Sequence, residues 1–206
     1  MIVEIAEVSG KTDLVKFIRF PDRLYRGNPY RVPPLHSSEK DTLDPRRTPA
    51  FEFCEAKCWL AYSDGKIVGR IAGIINHKSN EIHNEKYARL GWFDFIDDFG
   101  VSGKLLEALE EWAKSKGMTH ICGPMGFSDL DMEGVLVEGF KEISTQAVLY
   151  NYPYYPAHFE KAGYVKEVDW IQFEITIPSE VPAKMKRIAE MVKQKYGLRV
   201  CEAKKA

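Results

Sequence analysis

Long apolar runs are missing from this sequence. No stretch approaches the roughly twenty consecutive apolar residues of a membrane-spanning helix, and the opening MIVEIAEVSG has no basic segment followed by an apolar core. These features predict a cytoplasmic protein with no membrane partner. A surplus of either charge is missing too. Lys and Arg total 29 against 30 for Asp and Glu, a formal net charge of -1, so no bulk field attracts nucleic acid and none is expected as a partner. Cysteine is sparse: Cys54, Cys58, Cys122 and Cys201 are scattered, and the Cys54/Cys58 pair lacks a second pair to complete a zinc site. His77 and His83 do not have the i, i+4 spacing of a helical metal pair, so no metal is expected. There is no G-x-S-x-G, no complete P-loop and no G-x-G-x-x-G; FGVSGK (Phe99–Lys104) has glycines before a lysine at the wrong spacing for a triphosphate. Low-complexity segments and short-period repeats are absent as well.

What remains is a globular chain of 206 residues, 45% hydrophobic and 12% aromatic, long enough to bury a full core. Its organising stretch is Ala88 to Met125. There Leu105, Leu106, Leu109, Trp112 and Ala113 form a one-sided helical stripe, with Ser102 as expected N-cap and Gly117 as terminator. Arg89–Phe95 before it and Thr119–Cys122 after it read as strands, giving a βαβ unit whose helix N-terminus faces the end of the first strand, where unpaired N–H groups suit an anion.

Upstream, Ile2–Val8 reads as a strand, Thr12 and Asp13 open a helix bearing Leu14, Phe17 and Ile18, and Pro21–Pro49 is an arm rich in Pro, Arg and Tyr. Lys57–Tyr62 and Lys66–Ile75 flank Asp64-Gly65, a hairpin signal; Asn76–Tyr87 is a polar connector. Downstream, Val135–Val137 and Gln146–Leu149 read as short strands, Ala157–Ala162 as a short helix closed by Gly163, and Tyr164–Ile177 as a long half-buried strand. Ser179 is the expected cap of a last amphipathic helix, after which Leu198–Cys201 starts a strand.

This order, with LLEALEEWAKSKG (Leu105–Gly117) and HFEKAGYVKEVDW (His158–Trp170), resembles the GCN5-related N-acetyltransferase (GNAT) superfamily. GPMGFSDLDMEGVLVEGF (Gly123–Phe140) with YNYPYYP (Tyr150–Pro156) is similar to a poorly characterised bacterial branch of it, often longer than this chain. The resemblance implies an α/β (α+β) fold: a GNAT-like mixed, mostly antiparallel sheet with helices on both faces and a central βαβ unit. It implies a domain over residues 1–178, with 179–206 as a helix and strand start leading toward a second domain.

The implied activity is N-acyl transfer, acetyl transfer foremost, from acetyl-CoA or another acyl-CoA to a small-molecule or peptide amine. Pantetheine would lie along Trp92–Ile96, beside Phe93, Phe95 and Ile96, with a strand N–H near Phe93 or Phe95 for the oxyanion. The pyrophosphate would cap the helix at Val101, Ser102, Gly103 and Lys104. Asp97 and Asp98 occupy that loop where the family favours neutral or basic groups. Phe159 stands at the family's acid-tyrosine position, leaving Tyr155 or His158 as acid; Asp94 and Asp129 are candidates to hold or deprotonate the amine. Two alternatives stay open: a non-catalytic binding module of the same fold, or one half of a tandem acyl or aminoacyl transferase.

Overall fold

The computed structural model describes residues 2–145 and 148–201. The chain divides into two compact units, Met1–Glu167 and Val168–Ala206.

In the first unit, β1 (Glu4–Glu7), β2 (Cys54–Ser63), β3 (Lys66–Asn76), β4 (Tyr87–Phe95) and β5 (His120–Cys122) form one sheet in that order. All neighbours are antiparallel except β4 and β5, which run parallel across the helix α4 (Phe99–Ser115). The α/β reading and the βαβ unit are therefore correct, with the unit closing the β5 edge. The β2–β3 hairpin turns through Asp64 (φ 49) and Gly65 (φ 69), two left-handed residues whose twist matches that of the strands.

Val101, Leu105, Leu106, Leu109 and Ala113 of α4 are buried. All but Ala113 pack with Trp59, Ile71, Leu90, Phe93 and Phe95 of the sheet. Each fully buried Leu contributes about 1.5–3 kcal/mol. The helix lies close because β3 has no side chain at Gly73, where a Cβ would strike Leu109 and sit 2.7 Å from the Trp112 ring. Gly73→Ala is expected to lower unfolding free energy by about 1–3 kcal/mol in urea titration; a loss under about 0.3 kcal/mol would show that α4 moves aside freely.

The opposite face is covered by α1 (Gly10–Leu24), whose Phe17 and Ile18 meet Leu60, Ala72, Ile74 and Phe127. The α1 helix runs through Pro21 instead of stopping there. The arm holds a further helix, α2 (His36–Thr42), and a 3-10 turn at Pro49–Glu52. The polar connector is also helical: α3 (His77–His83) is capped by the Asn76 side chain accepting from the Ser79 N–H. The short helix α5 spans Tyr155–Lys161.

Several expectations are corrected. The α4 cap is Asp98, not Ser102, and the helix begins one turn earlier, because burying Val101 on the sheet requires it to be helical already. Val135–Val137 forms no strand; Val148 makes only an isolated bridge to Glu133, and Gln146 and Ala147 lie outside the described residues. Tyr164–Ile177 forms no strand either, and Ile171, Phe173, Ile175 and Ile177, expected to share a buried face, are 73–86% exposed. In the second unit, α6 (Ala183–Tyr196) starts after Pro182, not from a Ser179 cap, and ends at left-handed Gly197. Leu198–Cys201 is not a strand. Among the described residues no helix is long and apolar enough to cross a membrane.

Candidate active site

The β3–β4 register steps from Arg70↔Asp94 to Ala72↔Gly91, so β4 carries one extra residue there. That bulge includes Trp92 at φ 45, an expensive conformation for a bulky side chain. Its indole N–H donates to Glu39 Oε2 of α2 at 2.6 Å and its ring meets Phe127 edge-on, contacts that hold the bulge in place.

Just past the bulge, Asp94 is the centre of a buried polar network. Arg70 gives its Oδ2 two bonds, from Nε and Nη2, each 2.7 Å. The Tyr25 hydroxyl donates to Oδ1 at 2.9 Å, and Tyr155 lies 3.4 Å from the same oxygen. The two tyrosine hydroxyls are 2.9 Å apart. With Tyr25 donating to Asp94, Tyr155 donates to Tyr25, a chain of hydroxyls ending on a carboxylate. The remaining Arg70 donor, Nη1, reaches the Phe17 carbonyl at 3.0 Å. Pro21 explains that acceptor: lacking an N–H, it cannot bond the carbonyl four residues earlier, and Arg70 takes its place.

Burial and the Asp94 charge push both the Tyr25 and Tyr155 phenols well above their ordinary range, so both stay protonated at neutral pH. Of the members of this network the sequence pointed to Tyr155 and Asp94 as candidates and not to Tyr25 or Arg70. The signal for Arg70 was a lone cation inside the apolar run Ile67–Ile75.

His158 sits apart from this network, on α5, with 1% of its side chain exposed. Its Nδ1 meets the Ser102 hydroxyl at 2.7 Å and its Nε2 meets Asp97 Oδ1 at 3.0 Å, while its ring stacks on Phe99. Ser102 is thus a buried partner of α5, not a helix cap. Asp129 joins neither group; it lines a cleft with Arg89 and Phe53.

The expected donor residues are placed differently from the expectation. The Phe93 and Phe95 side chains belong to the core, and the Phe95 carbonyl accepts from the Tyr154 hydroxyl at 2.5 Å. The Ile96 N–H is bonded to Val68. At the mouth of α4, Asp98 Oδ1 accepts from the N–H groups of Gly100 at 2.8 Å and Val101 at 3.2 Å, and the Ser102 N–H goes to the Asp98 carbonyl. Lys104 pairs with Glu107 at 2.6 Å; Gly103 faces open space. Of the amides expected to be open to a diphosphate, that of Val101 is taken by the Asp98 carboxylate and that of Ser102 by the Asp98 carbonyl. On the strip expected to take pantetheine, Phe95 is covered by the Tyr155 ring, stacked at 4.4 Å. The β4–β5 ladder ends at Arg89↔Cys122, after which the Met125 N–H still bonds the Leu90 carbonyl.

Among the described residues no group of three or more His, Cys, Asp or Glu is placed to hold a metal. All four cysteines are free thiols, and burial pushes Cys58 up to about 12.

The frame of the site is thus a five-stranded mixed sheet with a bulged fourth strand and the N-terminus of α4 just beyond it. Residues 28–123 match the family model described as "Acetyltransferase (GNAT) family", and this part of the chain is a GNAT-family domain. The chain is 33% identical over 195 residues to Protein YghO of Escherichia coli, covering 92% of this chain and 49% of that protein. It is 28% identical over 181 residues to the bacterial ceramide synthase of Caulobacter vibrioides, covering 87% and 47%. It therefore spans about half the length of these curated relatives. A tandem GNAT protein from the clavulanic acid biosynthesis pathway matches in fold, with TM-score 0.52 and 14% identity over 79% of this chain and 43% of that one.

Proposed function

We propose that this domain transfers an acyl group from an acyl-CoA, such as acetyl-CoA, to the amine of a small molecule or peptide, within a protein that carries a second domain. The observation that carries the reading is the Tyr155–Tyr25–Asp94–Arg70 network at the bulged strand of a GNAT domain. A ceramide is an amide of a long-chain amine, so the name of the Caulobacter relative agrees with N-acylation. A second domain is supported by the half-length match to the curated relatives and by the uncovered apolar side chains between Ile171 and Ile177.

The neutral amine attacks the thioester carbonyl, the tetrahedral oxyanion collapses, and the carbon–sulfur bond breaks. The Tyr155 hydroxyl turns from Tyr25 to the departing thiolate and protonates it, then takes a proton back from Tyr25, since either hydroxyl of the pair can donate. The amine proton leaves to water. Asp94, already engaged by Arg70 and Tyr25, orients the phenols and is not the base.

Asp98 stands in the way of the donor. A diphosphate takes the Gly100 and Val101 amides only when that carboxylate swings out, forfeiting a cap contribution of about 1 kcal/mol. Removing Asp98 therefore has two opposite expected effects. Asp98→Ala lowers basal stability by about 1 kcal/mol in urea titration. It also tightens acetyl-CoA binding at least tenfold, seen in thermal shift against acetyl-CoA concentration, because the competing acceptor and its negative charge are gone. If neither form is shifted by millimolar acetyl-CoA, the donor is held elsewhere in the larger protein. That is the second reading, which the closed mouth favours: this domain is then the half that does not load CoA.

A further inference from the structure

A cleft of about 650 Å3 opens between α3, the Pro49–Glu52 turn and the loop after β5, lined among others by Phe53, Arg89, Phe127 and Asp129. It is not the proposed acyl-transfer centre: Arg89 and Asp94 pair with Ile74 and Arg70, four residues apart on β3, about 13 Å at strand spacing. Phe127, on its wall, packs with the α1 side of the sheet, away from α4.

Arg89 is half-buried. Its Nη1 donates to the carbonyls of Gly126 at 3.2 Å and Phe127 at 2.7 Å, and no carboxylate pairs with it among the described residues. Its Nε and Nη2 donors have no protein partner in that set. A guanidinium kept partly out of water without a counter-ion is set up to receive a planar anion, which it binds bidentately. On the same lining, the exposed Asp129 carboxylate also has no partner among the described residues, whereas Asp131 is committed to the Ser128 N–H at 3.0 Å. His83, at the end of α3, lines the rim. One unpaired cation, one unpaired anion and two aromatic rings line a single cavity.

We propose that this cleft binds a zwitterionic amino acid with an apolar side chain, its carboxylate on Arg89, its ammonium on Asp129 and its side chain against Phe53 and Phe127. A ligand with only one charge leaves the other anchor unpaired and forfeits a charge-assisted bond. The site requires nothing of the acyl-transfer reaction and stands whether or not acetyl-CoA binds.

The test is isothermal titration of the full chain with L-phenylalanine, 3-phenylpropionate and phenethylamine, which share a ring and carry both charged groups, the carboxylate alone and the ammonium alone. Phenylalanine is expected to bind at least tenfold tighter than either singly charged probe. Arg89→Gln should bring phenylalanine down to the level of phenethylamine, and Asp129→Asn down to that of 3-phenylpropionate. Because Arg89 also supports the Gly126–Phe127 backbone, Arg89→Lys serves as the milder variant and should retain intermediate affinity. The proposal is overturned if phenylalanine does not bind the wild-type chain, if a singly charged probe binds as tightly, or if Asp129→Asn leaves phenylalanine affinity unchanged.

Discussion

Tyr155→Phe slows release of the CoA thiol in the presence of an amine acceptor by about a hundred- to a thousandfold, while leaving acetyl-CoA affinity within about twofold. The magnitude is that of a positioned general acid, about 3–4 kcal/mol on the barrier. The ring is retained, so its stacking on Phe95 survives, and Tyr25 keeps its bond to Asp94. Folding should lose only about 1 kcal/mol for one hydrogen bond. A merely structural tyrosine would give the reverse pattern, with unchanged turnover and reduced stability. Stopped-flow thiol detection alongside urea titration separates the two outcomes. Turnover within threefold of wild type would remove Tyr155 from the chemistry.

Arg70→Met destabilises the fold by about 3–5 kcal/mol, the usual cost of leaving one member of a buried ion pair without the other. Two groups lose their donor together. Asp94, with 13% of its side chain exposed, retains only phenols, and the Phe17 carbonyl that Pro21 cannot serve is orphaned. Removing both charges in Arg70→Met/Asp94→Leu should recover more than half of the loss, because a buried pair replaced by apolar groups of similar size is close to neutral. Equilibrium urea unfolding of the single and double variants measures this. A single-variant loss below 1 kcal/mol would mean that water reaches Asp94 and the network is not closed.

Much of the architecture was legible locally. The α4 stripe, the Asp64-Gly65 hairpin and the β3 and β4 runs follow from side-chain periodicity and turn chemistry, which act over a few residues. The α4 cap was misplaced because Asp98 and Ser102 are both good caps four residues apart; burial of Val101 decides between them. Tyr164–Ile177 alternates as a strand should, but alternation supplies one face and not a partner, and the hydrogen bonds of a strand belong to its neighbour. Of the site, Tyr155 and Asp94 were found one at a time, as a phenol near a helix and an acid on a strand.

By itself the sequence determined the central elements, the β2–β3 hairpin and the βαβ unit, because these rest on short-range pattern and on side-chain burial repeated many times along the chain. Tertiary structure alone decided which polar groups meet. One inserted residue at Trp92 sets the register that puts Asp94 opposite Arg70, and Pro21, by having no N–H, leaves the Phe17 carbonyl free as the acceptor that completes the network. It also decided that Asp98 covers the amides of α4. Contacts between residues tens of positions apart carry no local signature; they exist only once the backbone has brought two ends of the pattern together.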